Sequence, residues 1–453
     1  MQKKIGKFMT LDTISAISTP LVASGVAVIR ISGKKSLEIA SKMFKPLGKT
    51  QVLDFIPNKM YVGEIQADGF FDHGLLVYFK GPKSFTGEDV VEIHSHGGVA
   101  ISKGILRKVL SLGARLANNG EFTKRAFING KLSLSSAEGL IDMINSESES
   151  GVKAGYYLYR EKLTEQINSL QDVILDALSE IDADMDFPEE DLEITSTKNV
   201  KSALEQVTKK IEGLMSTYRT GRSLKNGVKI AIVGKPNTGK SSLLNALLSY
   251  DKAIVSDIAG TTRDIVEGTI DIDGVRFNFS DTAGIRESDD KVESLGVELS
   301  KKILKESDVI LFVVDGASID EDDKKIYDFI KGQNAIVAQN KVDKCDKKCD
   351  FSDICISALK KQNLDKLKEL LYQKTIGSGI DLNGDFLCEE RHFEALSRAK
   401  DKLTQALNNI DIVPLDILSI DIKDGWDALG EISGKTATED IINNIFSKFC
   451  VGK

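Results

Sequence analysis

GKPNTGKSS, residues 234–242, follows the short apolar run VKIAIV (228–233) and opens into SSLLNALLS (241–249). The spacing G-x-x-x-x-G-K-S in that setting predicts a strand, a tight loop and a helix that together hold a nucleotide triphosphate. Gly234 and Gly239 let the backbone close around phosphate oxygens with its N–H groups. Lys240 reaches the β- and γ-phosphates, and the Ser241 hydroxyl is the expected Mg2+ ligand. Nucleotide contacts are expected from Asn237, Thr238, Gly239, Lys240, Ser241 and Ser242. Asn237 adds a neutral oxygen facing the phosphates, suited to a monovalent cation that offsets charge developing on the β–γ bridge.

Working outward, DTAG (281–284) stands after the strand-like VRFNFS. Asp281 is placed to hold the Mg2+ shell and the Gly284 N–H to meet the γ-phosphate, with Thr282 and Ala283 between them. NKVD (340–343) follows AIVAQ. The Asp343 carboxylate can accept two hydrogen bonds from guanine N1–H and the 2-amino group, which selects GTP over ATP. Asn340 steadies that loop, Lys341 lays its methylene stem on the base, and Val342 completes the turn. Ser357, Ala358 and Leu359, after the strand ICI, fit the last guanine loop. These motifs in this order define a guanine-nucleotide domain. The residue after DTAG is Ile285, so the water-orienting glutamine of Ras-like enzymes is missing. The next loop offers Glu287, Asp289, Asp290 and Glu293, each weighed against a plain solvated loop. GTTRD (260–264) offers Thr262, whose hydroxyl would complete the Mg2+ shell, and Arg263.

Short apolar strands alternate with helical patterns from Val228 to about Lys374, which reads as an α/β parallel sheet. Helical periodicity flanks it on both sides. Leu163, Ile167, Leu170, Ile174, Leu178 and Ile181 recur at spacings of three and four, as do Val200, Leu204, Val207, Ile211 and Leu214. The pattern returns from His392 to the end. An α/β unit inserted into one helical domain follows from this. DADMDFPEEDLE (182–193), with seven acids and no base, reads as a solvated turn rather than a metal site. Residues 1–125 mix strands (25–33, 73–81, 89–98) with a helix at 99–113. Alternation in the third strand sets Val91 and Ile93 on one face and Glu92, His94 and His96 on the other.

The 453 residues suffice for about three domains. A net charge of −8 argues against indiscriminate polyanion binding, which needs many Lys/Arg contacts to phosphate. Apolar runs such as VILFVV (309–314) are too short to span a bilayer, and MQKKIGKFMTLDTISAIS lacks an apolar stretch of signal-peptide length. Five cysteines suggest a reducing, cytoplasmic setting; Cys345, Cys349 and Cys355 lack zinc-ribbon spacing and read as loop and strand residues. The ending FCVGK (449–453) holds a cysteine at the C-a-a-X position. Gly452 is not aliphatic and Lys453 is not a usual last residue, so no lipid anchor is expected.

Taken together, the motifs resemble the MnmE (TrmE) family of tRNA-modification GTPases along essentially the whole chain. The resemblance rests on FTGEDVVEIHSHGG (85–98), GEFTKRAFINGKLSLSSAEGLIDMI (120–144), DFPEED (186–191), GKPNTGKSSLLNAL (234–247), AIVSDIAGTTRD (253–264), DTAGIRES (281–288) and FCVGK. It implies an α+β tetrahydrofolate-binding and dimerisation domain over 1–125. It further implies a discontinuous helical domain over 126–220 and 379–453, and an inserted P-loop Ras-like α/β G domain over 221–378. By the same resemblance the chain forms a homodimer, acts with an MnmG-type flavoprotein that carries FAD, and modifies C5 of the wobble uridine of certain tRNAs. The one-carbon unit would come from 5-formyl- or 5,10-methylene-tetrahydrofolate.

Potassium-dependent G-domain dimerisation is implied, with Asn237, Ser256, Ile258 and Thr261 as K+ ligands and Glu293 as the water-positioning acid. Asp257, Ala259, Gly260 and Thr262 belong to the same GTP-contacting loop. Arg30, Glu92, Lys131 and Lys453 are implied at the folate pocket, where a carboxylate such as Glu92 can pair with the amino-pyrimidine edge of a pterin. Cys450 would then lie near the one-carbon unit, either as a nucleophile of lowered pKa or as packing. The chain reads NNGEF (118–122) where relatives often have R-P-G-E-F, losing a fixed cation and a stiff turn. Trp426 in KDGWDALGEISG is expected in the core. Two rival readings are a ribosome-assembly GTPase, which normally appends a basic RNA-binding domain absent here, and a purely structural GTPase. Folate binding separates the structural reading from the tRNA-modification one.

Overall fold

The computed structural model describes residues 12–186, 193–250, 268–281, 307–345, 348–377 and 385–453. The chain forms two compact units, each discontinuous in sequence. The first comprises Met1–Ile141, Leu158–Thr208 and Ala395–Lys453; the second comprises Asp142–Tyr157 and Lys209–Glu394.

Seven strands build the sheet of the first unit: β1 (Ile14–Ile17), β2 (Ser24–Ser32), β3 (Phe44–Pro46), β4 (Met60–Gln66), β5 (Phe71–Phe79), β6 (Val90–Gly97) and β7 (Arg115–Leu116). They lie in the order β3-β4-β5-β6-β2-β1-β7. All pairs are antiparallel except β1 with β7. Strict alternation sends Ile29 and Ile31 of β2, Leu76 and Tyr78 of β5, and Val91 and Ile93 of β6 to one face. There they are buried with Ile39 and with Ile105 and Val109 of the helix Val99–Ser111. The opposite face carries Arg30 directly across from Glu92, with His94 two residues on. A one-residue slip would reverse both faces, so burial of the isoleucines is what aims these polar groups.

The helices Lys162–Asp186 and Leu415–Ser433 pack within the same unit through Ile167, Leu170, Ile174, Ala177 and Ile181 on one side and Leu418, Ile422 and Leu429 on the other. Gln171 Nε2 donates to the Trp426 carbonyl at 2.9 Å. Trp426 itself is half-buried rather than fully in the core, while its neighbours Gly425 and Ala428 are buried. The helix Glu121–Ile128 packs Phe127 against Ile442, Ile445, Phe446 and Phe449, which carry the chain into its final residues. Positions 187–192 of the acidic stretch lie outside the described residues.

The sheet of the second unit consists of β8 (Val228–Val233), β9 (Gly268–Ile272), β10 (Val275–Asp281), β11 (Val309–Asp315), β12 (Ala335–Asn340) and β13 (Ile354–Cys355), ordered β13-β12-β11-β8-β10-β9. Ile230, Ile232, Leu311, Val313, Phe277 and Phe279 are buried on one face, and Ile310, Phe312 and Val314 on the other, as strands covered on both faces require. Five strands are parallel, as expected, but the edge strand β9 is antiparallel to β10. The turn Asp273–Gly274, with φ of 52° and 80°, is a two-residue hairpin connection, and only antiparallel strands can be joined so tightly. Among the described residues no helix is long and apolar enough to cross a membrane, and no cluster of metal-ligating side chains forms. Cys355 lies in β13 and Cys345 and Cys349 in the preceding loop, none of them in a disulfide.

Candidate functional site

The loop after β8 has the conformation its glycines permit. Gly234 has φ 153°, and a Cβ there would stand 2.3 Å from the Val313 carbonyl; Gly239 has φ 94°, and a Cβ there would stand 2.4 Å from Asn340 Nδ2. Asn237 takes φ 64°, a left-handed conformation that asparagine tolerates, and its side chain is exposed. Lys240 opens the helix Lys240–Tyr250 and is buried; its Nζ donates to the Gly234 and Lys235 carbonyls, both at 2.9 Å. Ser241 follows on the exposed first turn of that helix. Backbone N–H groups at a helix N-terminus and a confined ammonium suit a polyphosphate. Asp281 ends β10 in register with Ile232, beside the strand end that launches the loop.

The guanine-selective loops meet the phosphate loop through Asn340. Its Nδ2 donates to the Thr238 carbonyl at 2.9 Å, and its Oδ1 accepts from the Ala358 N–H at 3.0 Å. One amide therefore fixes the distance between phosphate and base sites. Lys341 Nζ donates to the Asn237 carbonyl at 2.7 Å and pairs with Asp315 at 2.6 Å, which stretches its stem across the site. The Ser357 hydroxyl donates to Asp343 Oδ1 at 2.5 Å, and its oxygen accepts from the Lys360 N–H. That hydroxyl holds the Asp343 carboxyl below the usual carboxylate range, so it is an acceptor at neutral pH. Val342 N–H reaches the Ile356 carbonyl, and Leu359 is exposed.

Ser256, Asp257, Ile258, Ala259, Gly260, Thr261, Thr262, Arg263, Thr282, Ala283, Gly284, Glu287, Asp289, Asp290 and Glu293 lie outside the described residues. Of the groups implied for Mg2+ and K+, the backbone of Asp281 is described at the end of β10, and Ser241 and Asn237 are both exposed and chemically suited to hard cations.

In the first unit, Arg30 Nε donates to Glu92 Oε1 at 2.8 Å, and His94 Nε2 lies 3.6 Å from Glu92 Oε2. Burial raises the Glu92 pKa, but His94 and Arg30 outweigh it and keep the carboxyl below its ordinary range. The Arg30 guanidinium stands over the rings of Phe85 and Phe122, 5.5 and 5.7 Å from their centroids. Lys131 Nζ donates to the Pro82 carbonyl at 3.0 Å, on the loop that carries Phe85. A partly exposed carboxylate is thus paired with a cation that itself stands over two rings.

The tail is docked against this same unit. Asn119 bridges Val451, the Gly120 N–H donates to the Cys450 carbonyl at 3.4 Å, and Ser18 Oγ donates to the Gly452 carbonyl at 3.1 Å. Gly452 has φ 100°, and a Cβ there would meet the Ile17 carbonyl at 2.4 Å, so the close approach requires glycine. The bridge uses the N–H of Gly120 and not that of Asn119, so the departure from proline at 119 leaves this pairing intact. Cys450 is exposed and Lys453 half-buried.

Several functional contacts were not readable beforehand. Lys235 pairs with Asp320 and Asp323 at 2.6 and 2.8 Å, tying the phosphate loop to the capped start of the helix Glu321–Ile330. The D-x-x-D spacing of a capping box was the available signal. His96 Nδ1 is 2.6 Å from the buried Asp72, and Arg115 and Arg125 converge on Glu121; no local signal marks these pairings.

A parallel sheet, a glycine-formed phosphate loop and a base-selective carboxylate define the class: a P-loop guanine-nucleotide protein. Two family models match the chain, the MnmE helical domain over residues 134–450 and the GTP-binding protein TrmE N-terminus over residues 13–131. Relatives named tRNA modification GTPase MnmE are similar along nearly the full length. That of Caldicellulosiruptor saccharolyticus is 40% identical, covering 98% of this chain and 100% of its own. That of Desulforamulus reducens is 41% identical, covering 98% and 99%, and that of Lactobacillus helveticus 38%, covering 98% of each. The chain belongs to the MnmE family of tRNA-modification GTPases.

Proposed function

We propose that the chain hydrolyses GTP and uses that cycle to modify C5 of the wobble uridine (U34) of tRNA, together with an MnmG-type flavoprotein. The single observation that carries the reading is the assembled guanine loop, in which Asn340 links Thr238 to Ala358 and Ser357 holds the Asp343 carboxylate. Asp343 accepts guanine N1–H and the 2-amino group, Lys341 covers the base, and the Gly239–Ser241 backbone with Lys240 neutralises the β- and γ-phosphates. Ser241, Thr262 and Asp281 would hold Mg2+; Asn237, Ser256, Ile258 and Thr261 would hold K+ and make hydrolysis depend on G-domain dimerisation, with Glu293 positioning the water.

Arg30, Glu92, Lys131 and Lys453 would bind a reduced folate, which when bound supplies the one-carbon unit. Cys450 would stand beside it. The docked tail supports this assignment, since it brings the last residues to the unit that holds the Arg30–Glu92 pair. The division of labour follows 1–125, 126–220, 221–378 and 379–453, in a cytoplasmic homodimer.

GTP turnover in potassium and sodium buffers tests the hydrolytic part. Potassium should stimulate the wild-type chain at least about tenfold, the size of effect expected for a cation replacing an arginine finger in part. Asn237→Ala should lose the stimulation while still binding GTP. Equal stimulation in both proteins would remove Asn237 from the cation site.

A further inference from the structure

Glu121 is buried at 8% exposure yet serves four donors. Its Oε1 accepts from Arg115 Nη2 at 2.6 Å and Arg125 Nη2 at 3.0 Å; its Oε2 accepts from Arg115 Nη1 at 3.0 Å and the Asn118 N–H at 2.8 Å. Arg125, 1% exposed, also reaches Asp12 and Glu88, and Arg115 reaches Asp12 at 2.7 Å. Drawing Glu121 and Arg125 out of water is costly, and apolar packing would stabilise the unit as well. What such a cluster supplies is fixed geometry, and the segment whose geometry it fixes is the turn from Asn118 to Gly120.

That turn forms one wall of the channel that holds the tail. Gly120, at φ 64°, donates to the Cys450 carbonyl, and a Cβ on it would stand 2.4 Å from the Phe446 carbonyl. The other wall is the end of β1, where Ile17 and Ser18 meet Gly452. The β1 wall is held by strand pairing, with Ile17 in register with Ile29. The Gly120 wall is held by the turn's own backbone bonds, Glu121 N–H to the Asn118 carbonyl and Lys124 N–H to the Gly120 carbonyl, and by the Glu121 carboxylate, which accepts from the Asn118 N–H at 2.8 Å. Two residues along, Phe122 lies beneath Arg30.

We propose that Arg115, acting through Glu121, is a positioning residue that sets the docking of Cys450–Lys453 and through it the affinity of this unit for a reduced folate. The second half rests on the folate reading of the tail; the first does not. Arg115 is the accessible member of the cluster, with 42% of its side chain exposed, so replacing it opens no cavity.

The test compares the full-length wild type with Arg115→Ala, Arg115→Gln and Arg115→Lys. Amide exchange at Gly120 and Val451–Lys453 reports the docking, and calorimetric titration with 5-formyltetrahydrofolate reports the pocket. Arg115→Ala and Arg115→Gln should speed exchange at those amides by about tenfold or more, the effect of losing one charge-assisted contact. They should leave β6 and the second unit unchanged and weaken folate binding; Arg115→Lys should recover most of both. Unchanged tail exchange in Arg115→Ala and Arg115→Gln overturns the proposal, whatever the folate affinity does. Faster exchange with unaltered folate affinity upholds the positioning role and overturns the link to the pocket. Absence of folate binding in the wild type overturns the folate reading, while the exchange data still judge Arg115.

Discussion

Asp343 keeps its carboxylate at the surface with one oxygen 2.5 Å from the Ser357 hydroxyl, and that placement dictates which base the loop accepts. An amide at this position presents a donor where guanine also presents donors. Asp343→Asn should weaken GTP binding by about 10- to 1000-fold, since one or two hydrogen bonds to a charged acceptor are lost at roughly 1.5–3 kcal/mol each. Xanthosine triphosphate, with an oxygen at C2, should bind the variant better than GTP does. Displacement of a fluorescent nucleotide by each triphosphate measures the ratio, and an unaltered preference for guanine would mean another group reads the base. At this scale the sequence was most legible where a motif carries its own backbone demand, as at Gly234, Gly239 and Asn340. It was least legible for Lys235, whose partners Asp320 and Asp323 stand more than eighty positions away and could have been any of the many acids.

Elements were legible through periodicity. Alternation set Val91 and Ile93 on the face opposite Glu92, the face that proves buried, and the three-four spacing found the two long helices, because burial repeats with the geometry of each element. The antiparallel edge β9 escaped a purely parallel reading, although Asp273–Gly274 is a hairpin signal in its own right. Gly120 shows an element junction that only the structure reveals. It begins the helix Glu121–Ile128 in a left-handed conformation and lets the Phe446 carbonyl of the helix Glu439–Ser447 approach. Gly120→Ala should destabilise the chain by at least about 1 kcal/mol from the backbone conformation alone, with a steric term added. Urea unfolding would register this, and exchange should rise in Glu439–Ser447 before it rises in β6. A variant as stable as the wild type would show that the two helices can shift apart freely.

Across the molecule, the second unit gathers three separated stretches around one lysine. Lys225 Nζ pairs with Asp142 at 2.8 Å and with Glu389, tying segments 142–157, 209–226 and 385–394 to the root of β8. Burial, then the neighbouring Glu389 charge, pushes the Asp142 pKa up to about 8 against the pull of Lys225. A folded-state pKa above the unfolded value means the added stability is full in acid, below the ordinary carboxylate range, and drains away as pH rises towards 8. Urea midpoints of the second unit, followed by release of a fluorescent guanine nucleotide, should therefore fall between pH 5 and 8. Asp142→Asn should flatten that decline. A decline of equal slope in the variant would assign the titration to a different group. None of this was visible in the sequence, where Asp142 and Lys225 are ordinary charged residues of helical segments and Glu389 stands just before one.

The Ser18–Gly452 contact spans 434 positions. During synthesis the stretch Lys209–Glu394 is made before Ala395–Lys453, whose residues take about 3 to 12 s more at ordinary elongation rates. The nucleotide unit therefore has its whole sequence available first and can fold while its host is still incomplete. The strand β1 waits with one wall of its channel empty until the final residues are made. A nascent chain thus holds every residue of the nucleotide unit before it holds Cys450.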